Sequence, residues 1–222
     1  MKKNPEYVKD GKYVLGVGAR LLVYTNAIKI NRDDFEELWD RMPEPTQNPM
    51  NRKGPPILRR QCSMGGEYEF SGQKSKNIGR IDEKSPKIIK EIMKYLRSIV
   101  RGDIIRLYTG AHINFYKSGK AALSYHQDNE GRLKGLPIYS FTFLADGADY
   151  RYFCIAKDKK GKENRICLPL RNGDLIVMEG ENFQRDFWHS VPRTLAKDFI
   201  NQRRINVTIR AWDGEEKIAD SR

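Results

Sequence analysis

The sequence predicts a mainly β protein with flanking helices (α+β). Its core is expected to be a double-stranded β-helix, or jelly roll, behind an N-terminal helix/strand extension. Three observations carry this expectation. Eight short strand patterns follow one another from residue 111 onward, no helical periodicity interrupts them, and the strongest amphipathic helix lies upstream of all eight.

The eight strand patterns are HINFYK at 112–117, ALSYHQD at 122–128, IYSFTFLA at 138–145, YRYFCIA at 150–156, NRICLPL at 164–170, DLIVME at 174–179, DFWHSV at 186–191 and RRINVTIRAW at 203–212. They are short, rich in β-branched and aromatic residues, and alternate with a period of two. Asn172–Gly173 is expected to be a hairpin turn. Upstream, residues 13–30 read as one or two strands, and residues 33–42 as a short helix opened by Asn31 or the acidic pair Asp33–Asp34 and stopped by Pro43. Proline-rich residues 43–56 read as loop. The helix expected over 86–100 has Ser85 as N-cap and Pro86 as its first residue. Ile88, Ile89, Ile92, Leu96, Ile99 and Val100 form its apolar face, and Lys87, Lys90, Lys94 and Arg97 its solvated one.

With 222 residues, 39% of them hydrophobic, the chain can bury a sizeable core. No apolar run approaches the ~20 residues of a membrane span, and the charged start is followed by no apolar segment, so neither a membrane partner nor a secretory signal is expected. A monomer is the expected state. Cys62, Cys154 and Cys167 are widely spaced and make neither a metal box nor an even disulfide set, which fits a reducing intracellular compartment, nucleus or cytoplasm. The net charge of +12 favours an anionic partner, of which nucleic acid is the commonest.

His126 and Asp128 lie two apart at the end of a strand, so their side chains share one face. Of the two other histidines, His112 has no acidic neighbour in sequence, whereas His189 lies on a later strand in DFWHSVP. Two histidines and one carboxylate make the facial triad of non-haem iron oxygenases, with coordination positions left for a bidentate 2-oxo acid and dioxygen. A His-x-Asp pair alone is weak evidence, because such pairs are common on surfaces. The last strand strengthens it. In RINVTIR, Arg204, Asn206, Thr208 and Arg210 share one face and Ile205, Val207 and Ile209 the other. A cavity lined by the polar set suits a small dianion, since guanidinium binds carboxylate bidentately.

Together, NFY at 114–116, HQD at 126–128, PLRNGDLIVM at 169–178, HSVP at 189–192 and RINVTIR at 204–210 resemble the AlkB-type dioxygenases, which repair alkylated nucleic-acid bases. The resemblance runs from about residue 57 to residue 212. It implies Fe(II) held by His126, Asp128 and His189, with 2-oxoglutarate as cosubstrate and O2 as oxidant. It implies that Arg204 pairs with the distal carboxylate of 2-oxoglutarate, that Asn114 and Tyr116 hydrogen-bond nearby, and that Asn206, Thr208 and Arg210 complete the pocket. By the same resemblance RRQCSMGGEYEFSG at 59–72 looks like a nucleotide-recognition lid, in which Arg60, Gln61, Tyr68, Phe70 and Ser71 would face the substrate base; Asn129 and Glu130 would contact its edge. An ordinary edge strand is the plain alternative for EYEFSG. Arg59, Arg60, Lys74, Lys76, Arg80, Arg132 and Lys134 could hold phosphates. The stretch NPMNRKGPP before the lid offers Arg52 and Lys53 but no aromatic finger, which leaves single strands and RNA open as substrates.

The expected organisation is a single domain, in which residues 1–56 form an N-terminal extension packed on the core, 57–110 the lid and its supporting helix, and 111–213 the oxygenase core. The expected activity is oxidative demethylation of alkylated bases in DNA or RNA with release of succinate, CO2 and formaldehyde. Two alternatives stand beside it: a related 2-oxoglutarate oxygenase acting on a protein or modifying tRNA, and a non-catalytic nucleic-acid-binding module.

Overall fold

A computed structural model describes residues 10–46, 57–66, 68–70, 73–128, 135–145, 149–194 and 202–211; at 68–70 and 73–74 it describes the backbone only. In chain order the elements are β1 (Gly11–Gly16), β2 (Ala19–Tyr24), α1 (Arg32–Trp39), β3 (Arg59–Met64), β4 (Tyr68–Phe70), β5 (Gln73–Asn77) and α2 (Lys87–Ile99). A 3-10 turn (Gly102–Leu107), β6 (Gly110–Tyr116), β7 (Leu123–His126), β8 (Ile138–Leu144), β9 (Arg151–Ala156) and β10 (Ile166–Leu170) follow. The chain continues through β11 (Asp174–Glu179), α3 (Phe183–Asp186), β12 (Trp188–Val191) and β13 (Arg204–Arg210). Each of the eight strand patterns in the second half overlaps an observed strand.

The strands form two facing sheets, the jelly roll expected from the pattern. The major sheet runs β1-β2-β11-β8-β13-β6-β3-β5-β4 and the minor one β10-β9-β12-β7. Strands from the N-terminal part of the chain extend the major sheet at one side through β2 on β11, and at the other through β3 on β6.

Alternation along β13 sets the layers. Ile205, Val207 and Ile209 join Ile113, Phe115, Phe141 and Phe143 on the outer face of the major sheet, where Phe35 and Leu38 of α1 and Ile88, Ile89, Ile92 and Leu96 of α2 complete the core. Arg204, Asn206, Thr208 and Arg210, all buried, therefore point between the sheets. A second apolar cluster, including Leu21, Phe153, Ile155, Ile176 and Phe183, fills part of the space there.

Helix α1 opens as expected: Asn31 accepts from the Asp34 N–H at 2.9 Å and Asp34 accepts from the Asn31 N–H at 3.1 Å, a reciprocal capping box. Helix α2 departs from expectation at both ends. Pro86 is the N-cap, and the hydroxyl of Ser85 instead accepts from the Asp82 N–H and donates to the Arg80 carbonyl. Glu37 of α1 accepts from the Lys87 N–H at 2.9 Å, so one helix caps the other. Ile99, assigned to the apolar face, is 42% exposed because the helix ends there, past the edge of its contact with the sheet.

Two further expectations are corrected. Asn172–Gly173 is no hairpin turn, since β10 lies in the minor sheet and β11 in the major. The turn is the corner where the chain changes sheets. Asn172 Oδ1 accepts from the Leu144 N–H, the Gly173 N–H donates to the Thr142 carbonyl, and a Cβ on Gly173 (φ +84°) would meet the Ile28 carbonyl oxygen at 2.2 Å. A dipeptide that permits positive φ marks a turn without saying what it joins. Secondly, Cys154 and Cys167 form a disulfide, with Cα atoms 4.1 Å apart. They face each other across the β9–β10 pair, a register that wide spacing in sequence does not disclose. The pairing removes the cysteine argument for a reducing compartment.

Candidate metal centre

β7 and β12 lie side by side in the minor sheet with His126 directly opposite His189, so the two imidazoles meet, ring centroids 4.2 Å apart. Asp128, two residues past His126, returns its carboxylate to the same point. Its Oδ1 is 3.5 Å from His126 Nε2 and its Oδ2 3.4 Å from His189 Nε2. One ligand atom from each of the three residues lies within 4.8 Å of the others, the only such cluster of His, Cys, Asp and Glu among the described residues. Two nitrogens and one oxygen on one side of a point leave the other side free, as a facial triad requires. The donor set therefore fits Fe(II).

The electrostatics suit metal binding. Burial, and then His126, pushes the pKa of His189 down to about 4, so its imidazole is neutral and offers a lone pair at neutral pH. Burial alone would raise the Asp128 carboxyl. Arg210 and the two histidines outweigh it and hold the group well below the usual carboxylate range. Arg210 Nη2 stands 2.7 Å from Asp128 Oδ1. Phe153 stacks on His189 at 5.5 Å and excludes water from that side.

Two hydrogen bonds latch the short helix α3 to the triad. The Asp128 N–H donates to Gln184 Oε1 at 2.7 Å, and Gln127 Nε2 donates to the Arg185 carbonyl at 2.7 Å. No sequence motif announced Gln184.

Next to the triad, a polar chamber of about 30 Å3 is lined by Gln61, Asn114, Tyr116, Asn206, Thr208 and Arg210 among others. Asn206 donates to Ser140 Oγ at 2.9 Å and to the Phe141 carbonyl at 2.8 Å; Thr208 donates to Asn206 Oδ1 at 3.3 Å. Arg204 lies further in, its Nη2 donating to Thr142 Oγ1 at 3.0 Å. The structure thus brings the six residues assigned to 2-oxoglutarate and the three metal ligands to one inter-sheet space. His112 lines it too, buried and held neutral by burial, Arg210 and Arg59.

The substrate-side assignments divide. Gln61 points into the chamber, whereas Arg60 lies on the opposite face of β3 and donates to the Pro43 carbonyl, so it is not brought to the metal. Arg59, assigned to phosphate, is instead buried and donates to Gln61 and Asn114, because its parity on β3 matches that of Gln61. Tyr68 and Phe70 lie on β4, the outermost strand, paired with β5. Ser71, Asn129, Glu130, Arg132, Lys134, Arg52 and Lys53 lie outside the described residues. On the far side of Asp128 and Arg210, a cavity of about 630 Å3 is lined by Leu136, Met178, Glu181, Asn182, Phe183 and Gln184 among others.

Comparison with known proteins agrees with this geometry. Alpha-ketoglutarate-dependent dioxygenase alkB homolog 3 of Rattus norvegicus is 30% identical over 122 residues, covering 52% of this chain and 39% of that protein. The Homo sapiens protein of the same name is 28% identical over 126 residues, covering 54% and 42%. The chain thus spans about two fifths of these relatives. The solved structure of OsALKBH1 superposes with a TM-score of 0.54 at 19% identity, covering 93% of this chain and 99% of that one. A prolyl hydroxylase from Trichoplax adhaerens, solved with a hypoxia inducible factor peptide, gives 0.54 at 11% identity, covering 86% and 83%. The 2OG-Fe(II) oxygenase superfamily matches residues 23–210, and the chain belongs to that superfamily.

Proposed function

We propose that the enzyme oxidatively demethylates alkylated bases in DNA or RNA, releasing succinate, CO2 and formaldehyde. The observation that carries this reading is the similarity to the alkB homolog 3 proteins, on the side of the oxygenases that the RINVTIR strand also favours. The net charge of +12 supports a polyanionic substrate. The 630 Å3 cavity beside Asp128 has volume enough for a base turned out of its stack.

His126, Asp128 and His189 would hold Fe(II), and Asn114, Tyr116, Arg204, Asn206, Thr208 and Arg210 would hold 2-oxoglutarate. When bound, Fe(II) would supply the redox chemistry that couples decarboxylation of 2-oxoglutarate to hydroxylation of an N-methyl group, from which formaldehyde and the repaired base would follow. The chain's own contribution is placement. Arg210 fixes the carboxylate of Asp128 and Gln184 its backbone N–H, Phe153 keeps water from His189, and the two sheets would enclose the small dianion.

Hydroxylation of a protein is the second reading, because the prolyl hydroxylase shares the fold to the same degree. The deciding experiment measures succinate and formaldehyde release from protein reconstituted anaerobically with iron and then given O2. Methylated single-stranded DNA, duplex DNA and RNA are offered beside a peptide pool. Formaldehyde coupled to a methylated nucleic acid supports the first reading; hydroxylated peptide with no coupled formaldehyde from any nucleic acid replaces it with the second.

A further inference from the structure

Arg151 and Arg204 are the two largest side chains buried to within 2% of full enclosure, and they come from different sheets. Arg151 begins β9, where it shares the inward parity of Phe153 and Ile155, and Arg204 begins β13. Both guanidinium groups lie against the ring of Tyr116, Arg204 Cζ at 4.8 Å and Arg151 Cζ at 6.0 Å from its centroid.

A buried cation calls for an anion. Asp34, Asp128 and Asp174 are the buried carboxylates among the described residues, and each is engaged elsewhere: Asp34 with Lys87, Asp128 with Arg210, Asp174 with the Asn26 and Arg171 amides. Arg151 uses one nitrogen, Nη2, to face the carbonyls of Gly119, Ala121 and Pro192, while its Nε and Nη1 meet no hydrogen-bond acceptor among the described residues. Arg204 likewise leaves Nε and Nη1 without an acceptor of hydrogen-bonding geometry among the described residues. Burial, then Arg204, lowers the pKa of Arg151 to about 10, so it stays charged at neutral pH. Two half-satisfied cations thus flank one aromatic ring that itself lines the polar chamber beside the triad.

We infer that Arg151 is a second anchor for the distal carboxylate of 2-oxoglutarate, closing on it from the minor sheet while Arg204 holds it from the major. The inference rests on the placement of 2-oxoglutarate along β13. Tyr116, whose ring is now the shared neighbour of both cations, would yield part of that contact to the carboxylate and keep its hydroxyl for it. A carboxylate has four acceptor sites, enough for two forks.

Calorimetric titration of the full chain loaded with Mn(II) tests this, using 2-oxoglutarate and 2-oxobutanoate, which lacks the distal carboxylate. Arg151→Met is expected to weaken 2-oxoglutarate roughly tenfold to a hundredfold and to leave 2-oxobutanoate unchanged. Arg151→Lys, which keeps the charge without the fork, should fall between and serves alone if the Met variant does not fold. Equal loss for both ligands, or no loss for either, overturns the inference and leaves Arg151 as a staple for three carbonyls. Arg204→Met separates the two assignments. If it too spares the preference for 2-oxoglutarate, the distal carboxylate is not on β13; if it abolishes the preference while Arg151→Met and Arg151→Lys do not change it, only the second anchor fails.

Discussion

Arg210, at the end of the last strand of the major sheet, reaches across the inter-sheet space to Asp128, which follows β7 of the minor sheet, and pairs with its Oδ1 at 2.7 Å. Both side chains are about 5% exposed. The ion pair therefore joins the two halves of the jelly roll at the metal ligand itself, and removing either partner takes from the other the opposite charge it faces inside the fold.

Arg210→Met should destabilise the metal-free protein by about 3–5 kcal/mol. Added Mn(II) should recover more stability in the variant than it adds to the wild type, because the metal supplies the charge that Asp128 lost. Urea denaturation of both proteins with and without Mn(II) checks this; equal metal-induced gains would show that Arg210 does not compensate Asp128.

Replacing His126, Asp128 or His189 by Ala should abolish stoichiometric metal binding and succinate formation, whereas His112→Ala should retain the metal. His112 lines the same chamber but stands outside the cluster of ligand atoms. Equilibrium dialysis with Mn(II), together with circular dichroism for the fold, decides it. Loss of metal in folded His112→Ala would show that a different histidine completes the triad.

The metal-free protein should lose stability as pH falls from about 6.5 to about 4. His189 titrates at about 4 in the fold against an ordinary 6.5, so the unfolded chain binds the proton first and acid favours unfolding across that window. The full contribution, about 3 kcal/mol from a shift of that size, is present above pH 6.5. Burial holds His112 neutral too and acts in the same direction. Asp128 acts in the same direction at lower pH: its folded pKa lies below the ordinary carboxylate value, so its contribution persists down to about 3.8 and is lost below. Urea midpoints at pH 7.5, 6, 5 and 4.5 measure the slope, and a flat profile would contradict the burial of a neutral His189.

Gln184→Ala removes the acceptor of the Asp128 N–H. The expected cost is about 1–3 kcal/mol, seen as weaker Mn(II) binding with unchanged 2-oxoglutarate affinity once the metal is saturating. Gln184→Glu keeps an acceptor at the same reach and should restore the thermal transition. A Gln184→Ala protein that binds Mn(II) as wild type would reduce the latch to a surface contact.

Phe70→Ala tests the assignment of 59–72 as a lid. Loss of a stacking platform should weaken use of a methylated oligonucleotide by about 1–3 kcal/mol while uncoupled 2-oxoglutarate turnover stays nearly unchanged. Unaltered apparent affinity for the oligonucleotide would make EYEFSG an ordinary edge strand.

Periodicity alone determined much of this protein. A period of two in eight successive segments specified the paired sheets, and parity within RINVTIR separated a face of donors from a face of aliphatics, because adjacent side chains on a strand must point opposite ways. The i, i+2 relation of His126 and Asp128 put both on one face for the same reason. Parity also contained signals less easily heard: Arg151 alternates with Phe153 and Ile155, and Arg59 with Gln61, which marks both arginines as inward. What tertiary structure decided was pairing between segments remote in sequence. That His126 faces His189, that Cys154 meets Cys167, that Asn172–Gly173 turns a corner between sheets, and that Arg151 and Arg204 enclose Tyr116 all depend on strand register and sheet order. Local pattern fixes the face a side chain occupies, while the partner across the gap follows from the burial and hydrogen bonding of the whole sheet.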